Sequence, residues 1–168
     1  MPTEPNWLDP REGRAWRTYL HAHHELQLRL QRDLQQDSGL IMADYEVLAA
    51  LSEYPAGRMP AQELCASLEW EKSRLSHQVR RMQQQGLIAR EPNPADARSV
   101  LICLLPAGRQ AVEDAAPRHV SNVRRDFVDL LTPAELDTLT AISERVLGHL
   151  AAEPAPEEPA DADTARPD

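Results

Sequence analysis

Cysteine is scarce in this sequence: two in 168 residues, too few for the disulfide framework of a small secreted domain. Aromatic residues make up 4%, so a chain that is 42% hydrophobic must fill its core mainly with Leu, Val, Ile and Ala. No apolar run approaches the roughly 18–20 residues needed to span a bilayer. The opening stretch MPTEPNWLDPREGR has no basic segment followed by an apolar core, so it does not read as a secretory signal. Lysine occurs once, at Lys72, against 17 arginines. A Gly-rich phosphate loop, a nucleophile motif and paired carboxylates in a catalytic setting are all missing. No catalytic residue and no cofactor is therefore assigned, and an enzyme is not expected. The default is one domain of ordinary size in the cytoplasm, with no membrane partner.

What is there is charge, unevenly placed. The net charge of −9 and a pI near 5.1 argue, as totals, against nucleic acid. Residues 153–168 hold six carboxylates against Arg166, a net −5, which leaves −4 for the rest. From Lys72 to Arg90 the sequence carries Lys72, Arg74, Arg80, Arg81 and Arg90 and no carboxylate. Salt screens charge beyond about 10 Å at ~0.1 M, so a local cationic stripe can bind phosphate on an acidic molecule. A merely solvated helix face is the plain alternative, and position must decide.

Hydrophobic periodicity predicts a mainly α-helical chain with one small β-hairpin. A long helix is expected from about Pro10 to Gln36, where Trp16, Leu20, His23, Leu26, Leu30 and Leu34 recur at spacings of three and four. A second runs from about Ala43 to Tyr54, burying Val47, Leu48 and Leu51. A short third begins near Pro60 with Leu64, Cys65 and Leu68 on its apolar side, and a fourth begins near Lys72 with Leu75, Val79 and Met82 inward. Gly86 suits the left-handed residue that ends it. Leu87 to Arg90 and SVLICLL (99–105) read as two strands around a turn-forming PNPADAR loop. After Pro106 the chain is helical again. Pro117 is expected to kink or split that helix. Thr132-Pro133-Ala134-Glu135 is a capping-box start for a last helix, with Leu136, Leu139, Ile142, Val146 and Leu150 as its buried stripe. Residues 153–168, rich in Pro, Ala and acid with no Leu, Ile, Val or aromatic, are expected to be disordered.

At 100° per residue, an inward Leu75, Val79 and Met82 leave Ser73, His77, Arg80 and Gln84 outward, flanked by Arg74, Ser76 and Arg81. A short helix and tight turn precede this face, as in a helix-turn-helix, and a helix of this width fits the major groove of B-DNA. Lys72, Ser73, Arg74, Ser76, His77, Arg80 and Arg81 are therefore candidates for DNA contact. In the hairpin loop, Arg98 is a candidate for an adjacent minor groove, with Asp96 holding its guanidinium extended.

Here the sequence resembles the MarR family of winged helix-turn-helix transcriptional regulators. The resemblance covers roughly residues 15–150. It rests on KSRLSHQVRRMQQQGLIAR, on D-A-R at Asp96 to Arg98, and on LLPAGRQ after the second strand. Pro106 departs from the Thr more usual there. The resemblance implies a homodimer in which each subunit presents a winged helix to half of a pseudo-palindromic operator. Double-stranded DNA and a second copy are then the partners, and repression, relieved by a small aromatic or phenolic effector, is the usual mode. The apolar arithmetic agrees: a winged helix of about 65 residues is too small to cover the stripes of all the terminal helices, and a partner copy is the simplest cover. A monomer with its termini packed on the winged helix is the alternative. The organisation read from this is 1–40 N-terminal helix of the dimerisation region, 41–106 winged helix-turn-helix, 107–152 C-terminal dimerisation helices, and 153–168 acidic tail.

Other residues carry two readings. Trp16, Tyr19, His23 and Tyr45 are candidates to line the effector pocket that the resemblance implies; ordinary core or interface packing is the alternative. His21 and His24 share a face at i, i+3, but no Cys or acid set completes a metal site, and none is assigned. Cys65 and Cys103 sit among apolar neighbours without a cationic setting to activate them, so packing is preferred to redox sensing. A winged-helix protein-interaction module without specific DNA binding is the alternative function, favoured by the acidic total.

Overall fold

The computed structural model describes residues 5–94, 96 and 99–152. They fall into two compact units, the first reaching Phe127 and the second starting at Val128. The expected acidic tail (153–168) and Arg98 lie outside the described residues.

The first unit opens with α1, Pro10–Ser38. Asp9 and Glu12 form a capping box: Asp9 accepts from the Arg11 and Glu12 amides at 2.7 and 2.8 Å, and Glu12 accepts from the Asp9 amide at 2.8 Å. Gly39, left-handed at φ 73°, ends the helix. Then come α2 (Met42–Glu53), a single turn at Pro55–Gly57, and β1 (Arg58–Pro60). The helix pair α3 (Ala61–Leu68) and α4 (Lys72–Gln84) follows, then β2 (Ile88–Pro92), β3 (Val100–Leu104) and α5 (Pro106–Asp126).

The three strands form one antiparallel sheet in the order β1-β3-β2, with Met59 and Arg90 both registered on Ile102. Periodicity points to β2 and β3 but not to β1, which is three residues long, ends in proline and shows too little alternation to declare itself. The core gathers Leu34, Val47, Leu48, Leu51, Leu64, Leu75, Val79, Met82, Ile88 and Ile102, so α1 to α4 and the sheet share one apolar centre. The inward faces expected for α2 and α4 are the observed ones.

Two expectations are corrected. Pro117 does not split α5, which runs as one element from Pro106 to Asp126. Intact turns flank the proline on both sides, and α5 is held along its length against α1 and α2. Polar bridges add to that grip: Arg125 reaches Asp33 at 2.8 Å, while Asn122 and Arg118 reach Asp37 at 3.2 and 3.3 Å. Along α1 only the C-terminal end of the stripe is buried, in keeping with a winged helix too small to cover the terminal helices: Leu30 and Leu34 are covered, whereas Trp16, Leu20 and His23 are exposed. Second, in the second unit α6 (Pro133–Ala152) has the expected capping box, with Thr132 and Glu135 bonded reciprocally, but the stripe expected to be buried is not, and none of its residues is buried. The helical period is present in both elements; among the described residues only the C-terminal end of the α1 stripe, and no residue of α6, is buried.

Candidate nucleic-acid interface

Helix α4 displays the cationic face. Leu75, Val79 and Met82 are buried, while Lys72, Ser73, Arg74, Ser76, His77 and Arg80 are exposed. Its first turn contains no acid, and the capping position, Glu71, makes no side-chain cap bond. The opening amides of α4 thus stand beside Lys72, Ser73 and Arg74, an arrangement suited to a phosphate oxygen. The turn from α3 is tight: Glu69 adopts a left-handed φ of 53°, and the Trp70 amide bonds back to the Cys65 carbonyl at 3.0 Å.

Two of the flanking arginines are held by neighbours. The Arg74 guanidinium lies 4.0 Å over the Trp70 ring, a cation–π contact across the helix-turn-helix corner. Arg81 does not point outward with Arg80. Its Nη2 donates to Oδ1 of the buried Asp44 of α2 at 2.5 Å, and Gln78 donates to the same oxygen at 2.6 Å. Helical angle alone puts Arg81 on the flank of the exposed face, because it cannot show a carboxylate on another helix.

The wing begins at Gly86, left-handed at φ 72°, which turns the chain from α4 into β2. Arg90 is exposed on β2, and Arg58 pairs with Glu91 across the sheet. At the loop, Asn93 donates to the Ser99 hydroxyl at 2.6 Å, and the Ser99 amide donates to the Asp96 carbonyl at 3.0 Å. Asp96 is exposed there. Its expected partner Arg98 is outside the described residues, so their pairing rests on the sequence alone.

The four candidate effector residues are not brought together within the chain. Trp16, Tyr19 and His23 form an exposed ladder on α1, with ring centroids 6.2 Å apart at each step. Tyr45 instead meets His119 of α5, at 4.5 Å. These two rings line a groove of about 320 Å³ with Gln27, Leu30, Met42, Glu46, Ala49 and Leu68. Burial raises the pKa of Tyr45 and that of Glu46, which Arg74 partly offsets, and burial lowers that of His119. His119 Nδ1 is buried without a hydrogen-bond partner. Asp44, Glu46, Trp70 and His119 are not among the residues that sequence reasoning singles out. Only Asp44 carries a signal: the first turn of a helix suits an acid, but this one stands in register with the buried Val47, Leu48 and Leu51.

Cys103 is buried, and burial followed by the nearby Glu91 raises its thiol pKa, the opposite of thiolate activation. Among the described residues, no group of three or more His, Cys, Asp or Glu side chains is placed to hold a metal ion, and no helix is long and apolar enough to cross a membrane.

A family model for the MarR family matches residues 38–99, the span from the end of α1 to the loop just before β3. Over almost its whole length the chain is similar to AbsC, a MarR family transcriptional regulator from Streptomyces coelicolor: 38% identity, 89% of this chain and 100% of that one, TM-score 0.85. The chain belongs to the MarR family of transcriptional regulators. A second MarR regulator from the same organism, Sco3205, solved in complex with DNA, is 36% identical over 94% of this chain and 97% of its own, with a TM-score of 0.84. BpsR from Bordetella bronchiseptica, at 24% identity and TM-score 0.67 over 79% of this chain and 98% of its own, shares the fold. No curated protein matches the sequence. Within the MarR framework, α3 and α4 are the helix-turn-helix and β2–β3 the wing of a DNA-binding domain.

Proposed function

We propose that this MarR-family chain is a sequence-specific repressor that acts as a homodimer on a pseudo-palindromic operator and is released by a small aromatic effector. The observation that carries the DNA reading is the exposed, acid-free face of α4. Lys72, Ser73, Arg74, Ser76, His77 and Arg80 are its contacting residues, with Arg98 and Asp96 serving the wing. Phosphate contacts supply most of the affinity and base contacts the specificity. Replacing Arg80 with Ala should weaken binding to duplex DNA and make the dependence of log affinity on log salt shallower by about 0.9 for each phosphate that is no longer neutralised. Binding that is weak in the wild type and indifferent to Arg80 and Arg98 would instead favour a protein-interaction module.

The homodimer reading is supported by apolar surface that the chain leaves uncovered. In the first unit Trp16, Tyr19 and Leu20 are exposed on α1; in the second, Ile142, Val146 and Leu150 are exposed on α6. Rows of large apolar side chains at helical spacing mark association surfaces. Trp16, Tyr19 and His23 accordingly belong to the dimer face in this reading. Sedimentation should give a species of twice 18.9 kDa. The effector reading is supported by the groove beside Tyr45 and His119, whose mixture of apolar walls and a few polar groups suits a small aromatic molecule. A panel of phenolic compounds and antibiotics that moves neither the melting temperature nor the DNA affinity would remove this part.

A further inference from the structure

Asp44 is 3% exposed and occupies a position in the α2 stripe otherwise held by Val47, Leu48 and Leu51. An isolated carboxylate in such a layer is strongly unfavourable, and even a well-paired one is commonly no more stable than an apolar side chain of similar size. Its place in the first turn of α2 favours an acid, but calls neither for burial nor for two partners on α4. Its geometry indicates another use. One oxygen, Oδ1, receives both Gln78 and Arg81, which lie three residues apart on α4. Apolar contact among Leu75, Val79 and Met82 is non-directional and tolerates small rotations of the helix. Two hydrogen bonds from successive turns to one fixed atom do not. For a helix whose outer radius is about 5–6 Å, a roll of about 20° moves the outward side chains by roughly 2 Å, enough to break a base-edge hydrogen bond.

We infer that Asp44 is a positioning residue for base readout. Through Gln78 and Arg81 it sets the roll of α4 against α2, and it holds Arg81 back from the phosphate backbone. The cationic face is then Lys72, Arg74 and Arg80, while the Arg81 charge is neutralised within the protein. This rests on the DNA-binding reading of α4, and the test separates the two.

The test uses the full chain, a duplex enriched by the wild type from a random library, and a scrambled duplex of equal length. Asp44→Ala should lower the ratio of selected to scrambled affinity by about tenfold or more, comparable to removing one good base-edge pair. It should leave scrambled binding equal or tighter, with a salt dependence steeper by about 0.9 per protomer as Arg81 becomes free to meet a phosphate. Asp44→Asn keeps an Oδ1 acceptor and should restore most of the ratio. Arg81→Met, a change at a side chain only partly covered, should lower the ratio while leaving the scrambled salt slope unchanged; it decides the matter alone if Asp44→Ala does not fold. The inference is overturned if selected and scrambled affinities fall together in both variants, or if Arg81→Met makes the scrambled slope shallower by about 0.9, which would place Arg81 on phosphate. A wild type that enriches no sequence overturns the reading of α4 itself, and this inference with it.

Discussion

The rings of Tyr45 and His119 meet at 4.5 Å, tilted by 51°, and tie the start of α2 to the middle of α5. Burial lowers the His119 pKa below its ordinary value near 6.5. The unfolded imidazole therefore binds its proton at a higher pH than the folded one. Stability linked to His119 is complete above about pH 6.5 and is lost as the pH falls toward the folded value. Thermal melts from pH 7.5 to 5 should show the wild type losing more than His119→Phe, which keeps a ring against Tyr45. Glu46, raised by burial, shifts stability the opposite way. It is common to both proteins and cancels in the comparison. Parallel pH profiles would remove the assignment.

Gly108 lies in the first turn of α5 where a Cβ would stand 2.2 Å from the Leu87 carbonyl oxygen and 3.0 Å from methyl groups of Leu48 and Leu104. The same carbonyl accepts the Leu105 amide at 3.0 Å, so the backbone has little room to retreat. Gly108→Ala should destabilise the chain by about 1–3 kcal/mol, as overpacking generally does. Urea titration measures this, and an unchanged midpoint would show that α5 can shift.

Pro117 is exposed inside α5. It withholds one helical hydrogen bond, and it is not among the buried residues of α5. Pro117→Ala should stabilise the protein by about 1–2 kcal/mol, less than the full helix-propensity difference because alanine also loosens the unfolded chain. A lower melting temperature for the variant would mean that the ring, or a bend it imposes, is needed for packing.

Trp70 and Arg74 should be energetically coupled. A double-mutant cycle on Trp70→Leu and Arg74→Met, read by chemical unfolding, should give an interaction of about 0.5–1 kcal/mol at this partly exposed site. Zero coupling would show that the guanidinium rests over the ring without holding the corner.

Helical period carries far in this chain. The spacing of Leu75, Val79 and Met82 identifies both the inside of α4 and, by subtraction, its cationic outside. Thr132 and Glu135 announce the start of α6 through local chemistry alone. What fails to show in sequence is what depends on another element. Arg81 looks like its neighbour Arg80 until α2 supplies Asp44. Tyr45 looks like a companion of Tyr19 until α5 supplies His119. Pro117 breaks a local rule, and the grip of α1 and α2 on α5 overrides it. The stripes of α1 and α6 mark apolar faces correctly, but periodicity cannot tell a face covered by its own chain from one left bare, as Trp16 and Ile142 are.

Lys72 is the sole lysine of the 168 residues and stands exposed at the first turn of α4. Amine-directed chemistry therefore has one side-chain address in the chain, at the head of the face assigned to DNA. A single acylation would erase one positive charge there and nowhere else along the protein. The same address makes a footprint: protection of one amine by duplex would report occupancy of the helix, without any engineered tag.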